Sequence, residues 1–322
     1  MEQRRLGRSG LKVSRLGLGT MTWGRDTDQH EAKDQLTAFL AAGGTLVDTA
    51  AGYGDGAAEE ILGALLASSA QRESVVLATK AGISRRTGER VVDTSRRALL
   101  DALDASLRRL GTDHVDLWQV HAWSRDTGLE ETLSAVDHAV SSGRTRYAGI
   151  SNYSGWQTAR AVTLQEAAPT RAPIVSTQVE YSLLQRGIER EVLPAADALG
   201  LGVLPWSPLG AGVLTGKYRG GTPSDSRAAS PQMGRFVERF LDDRSRRIVD
   251  ALCTAADGLE AAPLEVALAW VRDAPGVTAP VVGARTAAQL RASLASDRVT
   301  LPAEIRAALD EVSAPPTGYP ES

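Results

Sequence analysis

The sequence predicts an α/β chain closed into a (β/α)8 barrel, with a β-hairpin in front and extra helices toward the C-terminus. Three observations carry this. Eight short apolar runs read as strands, and the segments between them have helical periodicity. Regular strand–helix alternation implies a parallel sheet. Eight such units within 322 residues fit a closed barrel better than an open sheet, and barrels of this kind fold as one unit of about 250 residues or more. No low-complexity linker and no repeat beyond the strand–helix unit divides the chain, so one domain over residues 1–322 is expected.

The elements follow in order. Residues 4–14 read as a hairpin with Gly7, Ser9 and Gly10 in its turn. Strands are expected at 15–19, 45–48, 75–80, 115–121, 145–151, 174–180, 202–206 and 278–282. Helices fit 30–42, 57–67, 154–167 and 188–199. Leu99, Leu103, Leu107 and Leu110 recur at helical spacing, as do Leu129, Leu133, Val136 and Val140. Thr127-x-x-Glu130 reads as a capping box opening the second of these helices. Two features break the alternation. Residues 209–239 form a connection rich in Gly, Pro, Ser and Arg, long enough to suggest a functional loop. A helix pair, 243–258 and 263–273, precedes the eighth strand, and helices at 286–295 and 302–312 follow it. The tail from Ala314 is expected to be mobile.

Composition bounds the partners. A net charge of −3 gives no reason to expect nucleic acid or an anionic membrane. Hydrophobic content of 43% is ordinary for a protein with a large core. The polar N-terminus lacks a signal peptide, and no apolar run approaches the roughly 18 residues that span a membrane. One cysteine, Cys253, excludes an intrachain disulfide and fits a reducing compartment, so a cytoplasmic location is expected. The histidines show no metal-ligand spacing, and no metal is expected. Oligomeric state is open.

In such a barrel, function sits at the C-terminal strand ends. The second, third and fourth apolar runs end at Asp48, Lys80 and His121, and Tyr53 follows in the Gly-rich loop after Asp48. A lone charge at a strand end is more often a solvated terminus. Three on adjacent strands, with a tyrosine, suggest chemistry. A free phenol has a pKa of about 10, which a neighbouring ammonium lowers. The ammonium needs a carboxylate, because burial alone favours its neutral form. Asp48, Lys80, Tyr53 and His121 together suit general acid catalysis at a carbonyl, with hydride from a cofactor.

The motifs extend well beyond these four residues. Leu6-Gly7-Arg8-Ser9-Gly10-Leu11, Leu16-Gly17-Leu18-Gly19-Thr20-Met21, Asp48-Thr49-Ala50-x-x-Tyr53-Gly54, Ala78-Thr79-Lys80 and Leu117-x-x-x-His121 occur in this order. Gly149-Ile150-Ser151-Asn152, Gln178-x-Glu180-Tyr181 and Trp206-Ser207-Pro208-Leu209 follow. Over residues 4 to about 312 the chain resembles the aldo-keto reductase superfamily, on the branch near the potassium-channel β subunits. The resemblance implies a TIM barrel and NADP(H)-dependent reduction of a small carbonyl substrate: an aldehyde, ketone or ketosugar. By it, Tyr53 is the proton donor, Lys80 and Asp48 tune it, and His121 orients the carbonyl.

The resemblance also implies the cofactor contacts. Gly19, Thr20 and Met21 would line the nicotinamide, Ser151, Asn152 and Gln178 would hold its carboxamide, and Trp206 would stack on its ring. Ser207, Pro208, Leu209, Gly212 and Lys217 would follow the pyrophosphate, and Gly283, Arg285, Gln289 and Ser293 the adenosine end. The glycine turn at Gly283 opens a helix, where an anion is favoured. A guanidinium at Arg285 suits a 2′-phosphate, and so NADPH. Thr286-x-x-Gln289 is equally a plain capping box. Ser293 stands where the family often has an asparagine on the adenine. The Gly-x-Gly-x-x-Gly fingerprint is absent, and Gly212 to Lys217 lacks the spacing of a phosphate-binding P-loop. Trp23 and Trp123 follow the first and fourth strand ends and are candidate pocket walls, with loop packing as the other reading. The alternative to catalysis is a weakly catalytic NADP(H)-binding sensor or regulatory subunit.

Overall fold

The computed structural model describes the chain apart from residues 70, 85–88, 225, 230–233, 317 and 319–322, and the side chains of 69 and 227. An antiparallel hairpin, β1 (Gln3–Arg5) and β2 (Lys12–Ser14), opens the chain. There follow β3 (Gly17–Gly19), α1 (Gln29–Ala41), β4 (Leu46–Asp48), α2 (Ala57–Ser69) and β5 (Val76–Ala81). A small hairpin, β6 (Ile83–Ser84) with β7 (Val91–Val92), precedes α3 (Arg96–Leu110). Then come β8 (Val115–Val120), α4 (Leu129–Ser141), β9 (Thr145–Ser151), α5 (Gly155–Glu166), β10 (Ile174–Glu180), α6 (Val192–Leu199) and β11 (Gly202–Trp206). The last part holds α7 (Gly234–Glu238), α8 (Asp243–Gly258), α9 (Pro263–Arg272), β12 (Val281–Gly283), α10 (Ala287–Ala295) and α11 (Ala303–Val312).

Strands β3, β4, β5, β8, β9, β10, β11 and β12 close into one parallel barrel in that order. This is the (β/α)8 architecture expected from the strand–helix alternation, and the eight expected strands match it. Strands β9, β10 and β11 begin and end where the sequence places them. Their near-continuous apolar character reflects burial on both faces, as in any parallel sheet covered by helices.

The barrel interior is layered. Successive residues on a strand face opposite ways, so positions two apart share a face. Leu46, Ala78, Leu117 and Leu204 form a fully buried apolar layer with Leu6 and Val13 of the hairpin region, which close the barrel's N-terminal end. Two residues further along the same strands come Asp48, Lys80, Gln119 and Trp206. The interior therefore changes from apolar to polar over one strand repeat, at the end where the βα loops gather. The outward face packs on helices: Leu99, Leu103, Leu107 and Leu110 of α3 are all buried. Each such burial contributes about 1.5–3 kcal/mol.

Several details depart from the sequence reading. Helix α4 is capped by Gly128, with no side-chain cap, so Thr127-x-x-Glu130 is not a capping box here. Thr127 lies outside the helix and Glu130 falls in its first turn. The connection 209–239 is partly structured. Single-turn helical segments at Gly210–Thr215 and the short α7 lie within it. In the C-terminal tail, residues 317 and 319–322 lie outside the described ones. Among the described residues, no helix is long and apolar enough to cross a membrane.

Candidate active site

The four strand-end residues converge. Asp48 ends β4 and Lys80 lies near the end of β5, adjacent in the barrel. Lys80 Nζ donates to Asp48 Oδ2 at 2.6 Å, to the Thr49 carbonyl at 2.8 Å and to the Tyr53 hydroxyl at 3.4 Å. The Lys80 side chain is 0% exposed and that of Asp48 3%, so this ion pair is sealed from solvent. The other carboxylate oxygen, Asp48 Oδ1, accepts from Gln178 Nε2 at 2.9 Å and from Gln119 Nε2 at 3.5 Å. A buried carboxylate is tolerated only when its lone pairs are met in this way. His121 follows β8 directly, its N–H bonded to the Ala81 carbonyl, and its ring stands edge-on to Tyr53 with centroids 6.0 Å apart.

Tyr53 is held by an unusual turn. Gly54, Asp55 and Gly56 all have left-handed φ, at 57°, 54° and 106°. The φ of 106° at Gly56 is one that side chains rarely adopt, and a Cβ there would also meet the Arg109 side chain of α3 at 2.8 Å. Arg109 in turn donates twice to Glu59 Oε2, at 2.8 and 2.6 Å. Glu59 is fully buried on α2, and its other oxygen accepts from Thr79, the residue before Lys80. The loop carrying the tyrosine and the strand carrying the lysine thus share one buried ionic support.

The electrostatics differ from the simple expectation at one point. Burial raises the Tyr53 pKa, the Lys80 charge pulls it down, and the Asp48 charge pushes it up; the net result lies above the ordinary tyrosine value. The sequence suggests a phenol acidified by lysine, but burial outweighs the ammonium. Burial also opposes the charge on Lys80, yet Asp48 and then Tyr53 outweigh it, and the lysine pKa is raised. The site therefore holds a charged ammonium against a protonated phenol through neutral pH.

The rest of the rim is assembled largely by backbone geometry. Among the described residues five non-glycine residues have left-handed φ, and four of them, Asp55, Asn152, Ser207 and Ala211, lie in loops after the barrel strands. Such strain costs roughly 1–2 kcal/mol per residue and gathers at functional sites. Asn152 ties the rim together: Nδ2 donates to the His121 carbonyl at 2.9 Å, and Oδ1 accepts from Trp206 Nε1 at 3.0 Å. Ser151 Oγ donates to the Gln178 carbonyl. The Ser151 and Asn152 donors are thus occupied within the protein, and Gln178 Oε1 is left as an acceptor. Gly19 sits where a Cβ would come within 2.9 Å of Val281, and Thr20 Oγ1 donates to the Asp48 carbonyl. Met21 is 37% exposed at this strand end. Pro208 is buried, Leu209 is half-buried, and Ser207 Oγ accepts from the Ala211 N–H. Lys217 is exposed, and a Cβ on Gly212 would lie 3.5 Å from its Nζ.

At the far end, Gly283 is exposed at the close of β12, and Arg285 is half-buried in the turn that follows. The opening of α10 is less available to an anion than the sequence suggests. Glu31 Oε2 of α1 accepts from the Ala287 N–H at 2.7 Å, and Thr286 Oγ1 caps the Gln289 N–H at 3.2 Å. Gln289 Oε1 accepts from the Arg285 N–H, and Ser293 turns its hydroxyl back to the Gln289 carbonyl. These groups fit a nicotinamide dinucleotide: an acceptor at Gln178, an aromatic ring at Trp206 and a cation at Arg285.

The two tryptophans part ways. Trp23 is 0% exposed and donates its indole N–H to Gln35 of α1 at 3.0 Å, so it packs in the core and offers no pocket wall. Trp123 is half-buried, edge-on to Tyr153 at 5.2 Å and to Trp156 at 5.3 Å, and lines an open groove. The sequence reading missed Gln119, whose alternation with Leu117 was the available signal. It also missed Phe236 of α7, which stacks on Trp206 at 6.1 Å, and Arg239, which lies over the Phe236 ring and pairs with Glu180 at the end of β10. Nothing local in the sequence marks those two. Among the described residues no cluster of three or more His, Cys, Asp or Glu side chains could hold a metal ion.

Comparison with known proteins gives a consistent result. The family model described as "Aldo/keto reductase family" matches residues 15–314. The chain is 40% identical to the uncharacterized oxidoreductase YrpG of Bacillus subtilis, over 99% of this chain and 98% of that protein. It is 36% identical to a probable voltage-gated potassium channel subunit beta of Oryza sativa subsp. japonica, over 88% and 87%. It is 33% identical to L-glyceraldehyde 3-phosphate reductase of Escherichia coli K12, over 90% and 86%.

Proposed function

The chain belongs to the aldo/keto reductase family and is an oxidoreductase, and from that premise we propose that it reduces the carbonyl group of a small molecule with NADPH in the cytoplasm. The observation that carries this reading is the buried ammonium of Lys80, set between the Asp48 carboxylate at 2.6 Å and the Tyr53 hydroxyl at 3.4 Å.

Bound NADPH supplies the hydride to the carbonyl carbon. As charge develops on the carbonyl oxygen, Tyr53 donates its hydroxyl proton to it. The phenolate left behind faces the Lys80 ammonium, whose charge is kept by Asp48. Gln178 and Gln119 hold the carboxylate toward the lysine. His121, beside the Tyr53 ring, orients the carbonyl oxygen toward the phenol. A proton delivered by a positioned side chain contributes about 10²–10⁴-fold in rate. Arg285 supports the preference for NADPH, since a guanidinium pairs well with a phosphate. One relative is named L-glyceraldehyde 3-phosphate reductase, which supports an aldehyde as substrate.

The experiment is steady-state oxidation of NADPH and NADH against aldehydes, ketones and ketosugars, with Tyr53→Phe as control. Turnover that prefers NADPH and falls at least about 100-fold in the variant, with cofactor affinity retained, is the expected result. Full activity of Tyr53→Phe sinks the assignment. A second reading is supported by the relatives named as potassium channel β subunits: a cofactor-binding regulatory subunit. Tight NADPH binding without turnover of any carbonyl would favour it.

A further inference from the structure

The 121–130 and 152–160 segments, both following barrel strands beside the candidate catalytic centre, border an open groove of about 560 Å³ that the reductase mechanism does not use. Its size is that of a small-ligand site. Two tryptophans form one corner, Trp123 and Trp156, with ring planes 65° apart. Trp156 is 56% exposed, although its ring is the kind of surface that folding normally covers. It is among only three large hydrophobic residues exposed in the described chain. Around the corner stand hydrogen-bonding side chains: Arg125, Glu130, Gln157 and Arg160.

Arg125 and Arg160 face a single carboxylate on this wall, Glu130, so the charges cancel only in part. Arg160 donates to Glu130 Oε1 at 3.0 Å. Glu130 also lies in the uncapped first turn of α4, where its own backbone N–H, followed by Arg160, holds its carboxyl below the usual range. The helix end is thus met by the protein's own carboxylate, which disfavours a second anion. Gln157 Oε1 is taken by the Ser154 N–H, leaving the amide nitrogen as donor. What the groove offers is a flat aromatic face with nearby donors, among them the Arg125 guanidinium, and an acceptor. Those features suit a neutral ring with apolar faces and a polar rim.

We propose that this groove binds a neutral polyhydroxylated ring, a glycosyl unit stacked on Trp156 with its hydroxyls toward Arg125, Glu130 and Gln157. Trp123 lies two residues after His121, and Tyr153 beneath it follows Asn152, which is bonded to the His121 carbonyl. The groove therefore adjoins the catalytic rim, and its occupant is the distal ring of a glycosylated carbonyl substrate. This last step rests on the reductase reading; the ring site does not.

The test separates the two. Saturation-transfer NMR with maltose and methyl β-glucopyranoside reads binding without turnover, with benzyl alcohol and glucose 6-phosphate as comparators. The expected result is transfer to the neutral sugars, lost at least several-fold in Trp156→Ala and largely kept in Trp156→Phe. No transfer to the neutral sugars, equal transfer in Trp156→Ala, or preference for the phosphate or the bare aromatic overturns the proposal. In kinetics, Trp156→Ala should raise KM about tenfold for an aldehyde-bearing glycoside, leaving its kcat and the KM of a short aldehyde unchanged. An equal rise for both aldehydes contradicts the distal-ring assignment. Absence of all turnover with sugar binding intact removes the reductase reading and leaves the ring site standing.

Discussion

Two arcs of the same rim are built by different means. Over β4, β5 and β8 the site is made of side chains that sit in register in the barrel interior: Asp48, Lys80 and Gln119, with His121 just beyond. Asp48, Lys80 and Gln119 are bonded through the Asp48 carboxylate and closed from solvent, and His121 is half-buried beside them. Over β9, β11 and β12 the site is made of turns: left-handed Asn152, Ser207 and Ala211, the short α7 with Phe236, and the half-open start of α10. The first arc is rigid because an unpaired charge there would be costly. The second has many partly exposed groups and few buried ones, which is where proteins open locally at low free energy. The proposed chemistry, which depends on close placement, uses the first, and the proposed recognition of a long cofactor uses the second.

If this division holds, damage to the first arc has the larger effect. Lys80→Met leaves Asp48 buried without its cation, and breaking a buried pair in this way costs about 3–5 kcal/mol. Urea denaturation should show that loss, and turnover should fall about 100-fold or more because the phenolate formed in reduction has no counter-charge. A variant with full stability and activity would show that the pair is dispensable.

The support behind the first arc comes next. Glu59→Gln keeps the shape of the side chain but takes the charge from a fully buried group that holds Arg109 and Thr79. A stability loss of about 1–3 kcal/mol is expected. If that network positions Tyr53, kcat falls while the dissociation constant of NADPH is unchanged. A change in NADPH affinity alone would detach the network from the tyrosine loop.

The second arc should respond more gently and in binding. Arg285→Ala is expected to weaken NADPH about tenfold, roughly 1.4 kcal/mol, with little effect on NADH. Glu31→Gln should act in the opposite direction, tightening NADPH a few-fold, because the carboxylate on the Ala287 N–H competes with a phosphate for the same helix end. Fluorescence titration with both cofactors reads the two variants. Equal effects on NADPH and NADH would remove both residues from recognition of the 2′-phosphate.

The same contrast explains what could be read from the sequence. Asp48, Lys80 and His121 each terminate an apolar run, and a strand's period of two fixes which side chains share its inner face. The barrel and its first arc were therefore legible from residue order, as were β9, β10 and β11 to the residue. Trp23 was not, because a tryptophan near a strand end reads alike whether it lines a pocket or, as here, donates to Gln35 in the core. The Thr127-x-x-Glu130 pattern failed because the chain enters α4 one residue later, at Gly128. Phe236 and Glu31 were invisible for a deeper reason: each acts across a long sequence separation, on Trp206 and on Ala287, where no local pattern records the contact. Even the direction of the Tyr53 shift depended on burial, which a sequence does not print.

The most direct test of the central claim, a protonated Tyr53 held against a charged Lys80, is the pH profile of kcat/KM for carbonyl reduction. Burial places the Tyr53 pKa above its ordinary value, and Lys80 is likewise raised. Both groups stay protonated wherever a free tyrosine would, so the rate should be flat through neutrality and fall only in the alkaline range, as the phenol loses its proton. A titration between pH 6 and 8 that persists in Tyr53→Phe would assign the proton to another group, with His121 the first candidate, and would contradict the account.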